Sequence, residues 1–301
     1  MVGLLAINKS PGPSSHDVVE EVRRRTGGLK AGHAGTLDPH ASGVLLVLLD
    51  QATKLAPLFV GLPKKYRASF RLGLSTDTND IWGSVLAETP VPELAEEQIE
   101  EVLSSFVGTI KQKVPIFSAV KSKGQPLYKK ARRGEEVETP EKEVTFYSIQ
   151  LLVWKSPEIE LEVACSSGAY IRALARDFGE RIGCGAVMSS LVRIEVGPVT
   201  LAQSVSLDGL DPQNWGEHLL FPQDVLGLPV LRLMTEPARV RDGKPLFLSD
   251  LDGLDDFEKG QAVFVENGSE RILAWGHLAE SADFLKKNPS QPAFVYGRVL
   301  V

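Results

Sequence analysis

Only two of the 301 residues are cysteines, Cys165 and Cys184, far apart and outside any paired-cysteine motif. That scarcity excludes a disulfide framework and a thiolate zinc site and predicts reduced thiols in a cytoplasmic protein. Histidines and carboxylates at ligand spacing are also missing, so no metal is expected, and no motif calls for a cofactor. No apolar run approaches the length of a membrane span. The short apolar start Met1-Val2-Gly3-Leu4-Leu5-Ala6-Ile7 meets Lys9 without a basic leader or small-residue cleavage site, so neither a signal peptide nor a membrane partner is expected. There is no surplus of positive charge either. Thirty-three basic side chains face 39 acidic ones, a net charge of −6 at pH 7, which at first argues against a nucleic-acid partner.

The distribution of charge reverses that argument. Residues 202–301 hold 15 acidic and 9 basic side chains, the whole deficit, and leave 24 of each in residues 1–201. Within the balanced part, residues 111–133 carry eight Lys or Arg (Lys111, Lys113, Lys121, Lys123, Lys129, Lys130, Arg132, Arg133) and no acid, with Phe117 and Tyr128 interleaved. Such a block is usually a solvated surface or tail, but aromatics interleaved with basic residues are what RNA-binding segments often require.

A capping box at Ser14 and Asp17, an apolar stripe at Val18, Val19 and Val22, and Gly27-Gly28 predict a first helix. Tyr66, Ala68, Phe70, Leu72 and Leu74 alternate with Arg67, Ser69 and Arg71 as in a half-buried strand, and Ile159, Leu161 and Val163 repeat the pattern. Ile171, Leu174, Ala175 and Phe178 share one face of a helix, and a further acidic helix is expected near 93–106. Strands and helices mix without regular alternation, which predicts an α+β fold on a mixed, largely antiparallel sheet flanked by helices. Short strands at 261–265 and 271–275 between Gly and Asp turns predict a small C-terminal β-barrel. The expected division is a domain over 1–227, with an insertion at about 108–143, and a second over 228–301.

The most informative stretch is Gly32-His33-Ala34-Gly35-Thr36-Leu37-Asp38-Pro39. Pro39 disfavours a helical Asp38 and Gly35 and Gly43 permit turns on either side, so one carboxylate is presented on a constrained loop before the apolar run 44–49. In isolation an Asp-Pro pair merely starts a turn. Here it stands in an ordered series: Asn8-Lys9-Ser10-Pro11-Gly12, Lys64-Lys65-Tyr66, Leu74-Ser75-Thr76-Asp77-Thr78-Asn79-Asp80, Phe117-Ser118-Ala119-Val120-Lys121, Gly124-Gln125-Pro126-Leu127-Tyr128, Ser167-Gly168-Ala169-Tyr170-Ile171-Arg172 and Leu191-Val192-Arg193. In this series the chain resembles the TruB family of tRNA pseudouridine synthases, well over its first two hundred residues and weakly over the last hundred. It departs at Val114-Pro115-Ile116-Phe117, Ala169 and Val192, positions that bear on packing and RNA grip.

The resemblance implies the pseudouridine-synthase fold with a PUA-like C-terminal barrel. It also implies isomerisation of the T-loop uridine of tRNA without a cofactor or a protein partner. Asp38 is implied as the essential carboxylate, acting as a nucleophile or by taking a sugar proton. Arg172 is implied as its bidentate partner and Tyr66 as the ring that stacks on the base and helps remove the C5 proton. A phenol of ordinary pKa near 10 is a poor base unless its surroundings help. His33, Asp80, Tyr170, Leu191 and Lys9 are implied in holding the substrate, the base being extruded into the pocket. Lys121, Lys129, Lys130 and Arg132 are implied in gripping the T stem-loop. The insertion favours a stand-alone enzyme over a guide-RNA-dependent relative. A non-catalytic tRNA-binding or tRNA-folding protein is the alternative, and a carboxylate glycosidase would need a second, paired acid.

Overall fold

A computed structural model describes residues 2–118, 120–122, 125–126, 133, 139–253, 256–268 and 271–301, the side chains of 121, 122 and 126 excepted. In the first part the strands are β1 (Val2–Lys9), β2 (Ala31–His33), β3 (Ser42–Asp50), β4 (Lys64–Leu72), β5 (Leu74–Thr76), β6 (Val85–Glu88) and β7 (Gly108–Lys113). They continue with β8 (Lys121–Ser122), β9 (Gln125–Pro126), β10 (Glu141–Lys155), β11 (Glu158–Cys165), β12 (Ala186–Val196), β13 (Val199–Thr200), β14 (Val205–Ser206) and β15 (Leu219–Leu220). Helices α1 (Ser15–Arg25), α2 (Ala56–Gly61), α3 (Glu96–Ser104) and α4 (Ile171–Ile182) lie between them.

The main sheet runs β14-β1-β3-β12-β4-β11-β10-β7, with β2, β13 and β15 added at its flanks. Pairing is antiparallel except at β1 with β14 and β3 with β12, so the sheet is mixed and largely antiparallel as expected. The β3 residues 43–49 are all buried, which is why that run shows no alternation. Strand β4 alternates as read, but Gly73, at φ 80°, ends it, and Leu74 starts β5 instead of extending the same face. Ser14 and Asp17 close the capping box of α1, and Val18, Val19 and Val22 are its buried stripe. Helix α4 buries Ile171, Leu174, Ala175 and Phe178 against the sheet in one cluster with Ala68, Phe70, Leu161 and Met188. The acidic helix is shorter than expected, Glu96–Ser104.

Beyond residue 229, β16 (Val230–Leu233), β17 (Leu251–Asp252), β18 (Ala262–Glu266), β19 (Ile272–Leu278) and β20 (Phe294–Val299) form a second sheet in the order β17-β16-β18-β19-β20. The expected barrel is not closed. Among the described residues, strand β17 is two residues long and pairs with β16, β20 pairs with β19, and no pairing joins the two ends. Phe264, Ile272 and Leu300 from this part pack into one buried cluster with Leu4, Leu46 and Phe59, and Lys54 Nζ donates to Val299 O at 2.9 Å. The sheets thus share apolar packing across the boundary expected near residue 228.

Candidate active site

The loop 34–41 leaves β2 and enters β3 with little backbone pairing of its own. Beyond the Ala41 N–H to Asp38 O turn bond at 3.0 Å, its carbonyls need partners from elsewhere. Pro39 O takes the Gly12 N–H at 2.9 Å, three buried side chains supply further donors to loop carbonyls, and a fourth grips the Asp38 carboxylate. Lys9, at the end of β1 and fully buried, donates from Nζ to Pro39 O at 3.0 Å, Ala41 O at 2.7 Å and Ser10 O at 3.0 Å. Ser15, opening α1, donates to Leu37 O at 2.9 Å and accepts from Leu37 N at 2.8 Å. Arg193 on β12 donates from Nη2 to Gly35 O at 3.2 Å, from Nη1 to Thr36 O at 3.4 Å and from Nε to Val44 O at 2.7 Å. Gly43, at φ 104°, lets β3 run against Arg193, because a Cβ there would collide with the Arg193 backbone.

The fourth is Arg172, in the first turn of α4. Its Nε donates to Asp38 Oδ2 at 2.9 Å and its Nη2 lies 3.4 Å from Asp38 Oδ1, so the guanidinium grips the carboxylate at two points. It also donates to Thr78 O and Phe117 O, each at 3.0 Å, and sits 3.9 Å from Asp80 Oδ2. The Arg172 side chain is only 8% exposed whereas that of Asp38 is 37% exposed. A buried cation therefore orients a carboxylate whose other side is open. Arg172 is thus not on the outer helix face with Arg176, which instead contacts Asp177 and Lys113 O.

Tyr66 on β4 and Leu191 on β12 are buried in the same cluster as Leu37, next to Asp38. Tyr66 pairs across the strands with Arg193, and Leu191 with Ala68. Burial raises the Tyr66 pKa against the opposing pull of the Arg193 guanidinium. His33 is half-buried on β2, its Nδ1 enclosed without a hydrogen-bond partner, and burial lowers its pKa, with Arg193 and His16 adding to the effect. Tyr170 precedes α4, with its backbone N–H donating to Gln112 Oε1 at 2.8 Å and its carbonyl accepting from Gln112 Nε2 at 3.0 Å. Asp80 accepts from Thr78 Oγ1 at 2.6 Å and Trp82 N at 3.1 Å.

The structure thus gathers Asp38, Arg172, Tyr66, Leu191 and Asp80 at one place. Lys9 lies beneath the loop as a clamp, where burial pulls its pKa down to about 8. Of Lys121 only the backbone is described, and Lys129, Lys130 and Arg132 lie outside the described residues. Arg193 and Gln112 carry no role in the sequence reading. Arg193 stands in a strand whose alternation buries it, and Gln112 falls between two exposed lysines, signals visible only once the strands are paired. Among the described residues no group of His, Cys, Asp and Glu could hold a metal.

A carboxylate fixed on a constrained loop, with a buried guanidinium behind it and one side open, has the orientation a nucleophile or a general base needs. The whole chain superposes on structures described as "Crystal Structure of a Cbf5-Nop10-Gar1 Complex" (TM-score 0.73, 24% identity, 99% of this chain and 85% of that one). It does so equally on "Structure of H/ACA RNP bound to a substrate RNA containing 2'-deoxyuridine" (TM-score 0.72, 22% identity, 99% and 85%). The fold is that of the pseudouridine synthases.

Residues 23–171 match the family model "TruB family pseudouridylate synthase (N terminal domain)" and residues 172–226 match "tRNA pseudouridylate synthase B C-terminal domain". A tRNA pseudouridine synthase B of Xanthomonas axonopodis pv. citri is 45% identical over 251 residues, covering 81% of this chain and 82% of the relative. One of Geobacter sulfurreducens is 39% identical over 292 residues, covering 95% and 94%. This chain belongs to the TruB family of tRNA pseudouridine synthases.

Proposed function

We propose that the chain isomerises the T-loop uridine of tRNA, position 55, to pseudouridine, unaided by cofactor or protein partner, in the cytoplasm. The observation that carries the reading is the two-point Arg172 grip on a carboxylate that stays open on its far side. The reaction breaks the N1–C1′ bond, turns the base, forms a C5–C1′ bond, releases the C5 proton and leaves N1 protonated, so that the product is an isomer with no net oxidation. Asp38 supplies the carboxylate, either bonding to the nucleoside or accepting a sugar proton, and both routes need the orientation that Arg172 gives. The uridine is extruded from the RNA and lies over Tyr66 and Leu191, an apolar floor that compensates part of its lost stacking. The raised pKa of Tyr66 supports a ring that stacks, not a ground-state base. His33 fills the space the base leaves, Asp80 and Tyr170 bound the pocket, and Lys9 keeps the loop in place. Lys121, Lys129, Lys130 and Arg132, together with exposed Lys111 and Lys113 on β7, hold the stem phosphates, so binding weakens steeply with salt.

The test is tritium release from unmodified tRNA transcript labelled at uridine C5. One equivalent per tRNA is expected, and none from a transcript carrying cytidine at position 55. Release that survives the replacement would refute the assigned site. Salt-sensitive binding without release would leave a tRNA-binding protein.

A further inference from the structure

Two exposed rings stand on the Asp38 and Asp80 segments. His40 follows Asp38 by two residues and Trp82 follows Asp80 by two, and their rings stack with centroids 4.1 Å apart and planes 8° from parallel. Trp82 nevertheless keeps 44% of its surface exposed, beside Ile81 at 41%. A buried indole would gain far more from the hydrophobic effect, so a stacked pair left open to water is either an internal strut or a surface awaiting a third flat group.

The surroundings fix the position of this pair relative to the chemistry. Asp80 Oδ1 accepts the Trp82 backbone N–H at 3.1 Å, and Asp80 Oδ2 lies 3.9 Å from the same Arg172 Nε that holds Asp38. Ile81 N donates to Met188 O at 3.1 Å and Met188 N to Asn79 O at 3.0 Å, so the segment carrying Trp82 is tied to the edge of β12. The two rings therefore come from the two segments that Arg172 joins, and their stack bridges those segments on the open side.

We propose that the His40–Trp82 pair is a stacking shelf for an unpaired nucleobase of the substrate RNA, the one next to the extruded uridine. This rests on the RNA substrate proposed above. Extruding one base strips its neighbour of a stacking partner, and an aromatic face close to Asp38 replaces it. Every nucleobase has a π-face, so the shelf contributes affinity and register without reading sequence.

The experiment uses the full chain, its Trp82→Ala and Trp82→Phe variants, and tRNA transcripts with a single abasic nucleotide at successive T-loop positions. Trp82→Ala is expected to raise KM for the intact transcript about tenfold with kcat within about twofold, and Trp82→Phe to recover most of the loss. At one loop position the abasic transcript should cost the wild type a similar factor and cost Trp82→Ala nothing further. Losses that multiply at every position, or a fall in kcat at unchanged KM, would overturn the shelf and leave a strut that positions the Asp38 loop. Trp82 fluorescence, taken as wild type minus Trp82→Phe during titration with transcript, gives a readout independent of turnover. Quenching supports the shelf even if no pseudouridine forms, and binding with unchanged fluorescence refutes it.

Discussion

Around loop 34–41, Lys9, Ser15, Arg172 and Arg193 are all buried, and every one of them donates to that loop. In the C-terminal part, residues 228–301, Asp250 is the one buried polar side chain among the described residues, paired with Phe247 N and Arg239. Yet both sheets meet in a single apolar cluster through Phe264, Ile272, Leu46 and Phe59. Burying polar groups is costly unless each finds a partner, whereas apolar packing needs only shape. The contrast teaches that the first region accepts expensive buried charges to fix one loop that lacks regular structure, while the second is held by packing.

The largest effect is expected from Arg172→Met, which keeps bulk but removes the guanidinium donors to the Asp38 carboxylate, Thr78 O and Phe117 O. Tritium release per folded molecule should fall about 10²-fold or more, because Asp38 loses its orientation. A variant within threefold of wild type would detach Arg172 from the chemistry.

Next, Arg193→Met should cost roughly 3 kcal/mol by leaving the Gly35, Thr36 and Val44 carbonyls without their donor. Phe264→Ala should cost about 3–5 kcal/mol by opening a cavity in the shared cluster. Denaturant unfolding paired with single-turnover rates separates the two. Arg193→Met should slow the folded enzyme, and Phe264→Ala should leave its turnover intact. Equal slowing by both would erase the distinction between the regions.

Ser15→Ala is a smaller probe, expected to destabilise by about 1–2 kcal/mol through the two lost Leu37 bonds and to slow turnover modestly. Calorimetric melting checks it. A separate probe of the same loop is pH. The Lys9 pKa falls from 10.5 unfolded to about 8 folded, so between those values the unfolded chain binds more protons and stability rises with pH. Wild type should therefore gain stability relative to Lys9→Met as pH climbs from about 8 to 10.5. An unchanged difference across that window would contradict the buried amine.

Much of this was legible in the residues. Asp38 before a proline and a buried strand, the alternation of β4 and the face of α4 all follow from local pattern. The rest depends on pairing between distant segments. That Lys9 and Arg193 are buried beneath the Asp38 loop, instead of Lys9 reaching the substrate, shows only when β1 and β12 are laid on either side of β3. Gln112 gains meaning only when β7 meets the start of α4. The stack of His40 on Trp82 joins positions 42 residues apart that no periodicity relates. Barrel closure failed as an expectation because short alternating strands fix local pairing and not whether the terminal strands meet.

The most direct measurement compares wild type with Asp38→Asn, side by side, for tRNA affinity and for tritium release in a single turnover. Asp38→Asn should bind tRNA within about threefold of wild type, with release lowered by about 10⁴-fold or to nothing measurable. Release by Asp38→Asn near the wild-type rate would show that the Arg172-held carboxylate is not the reacting group.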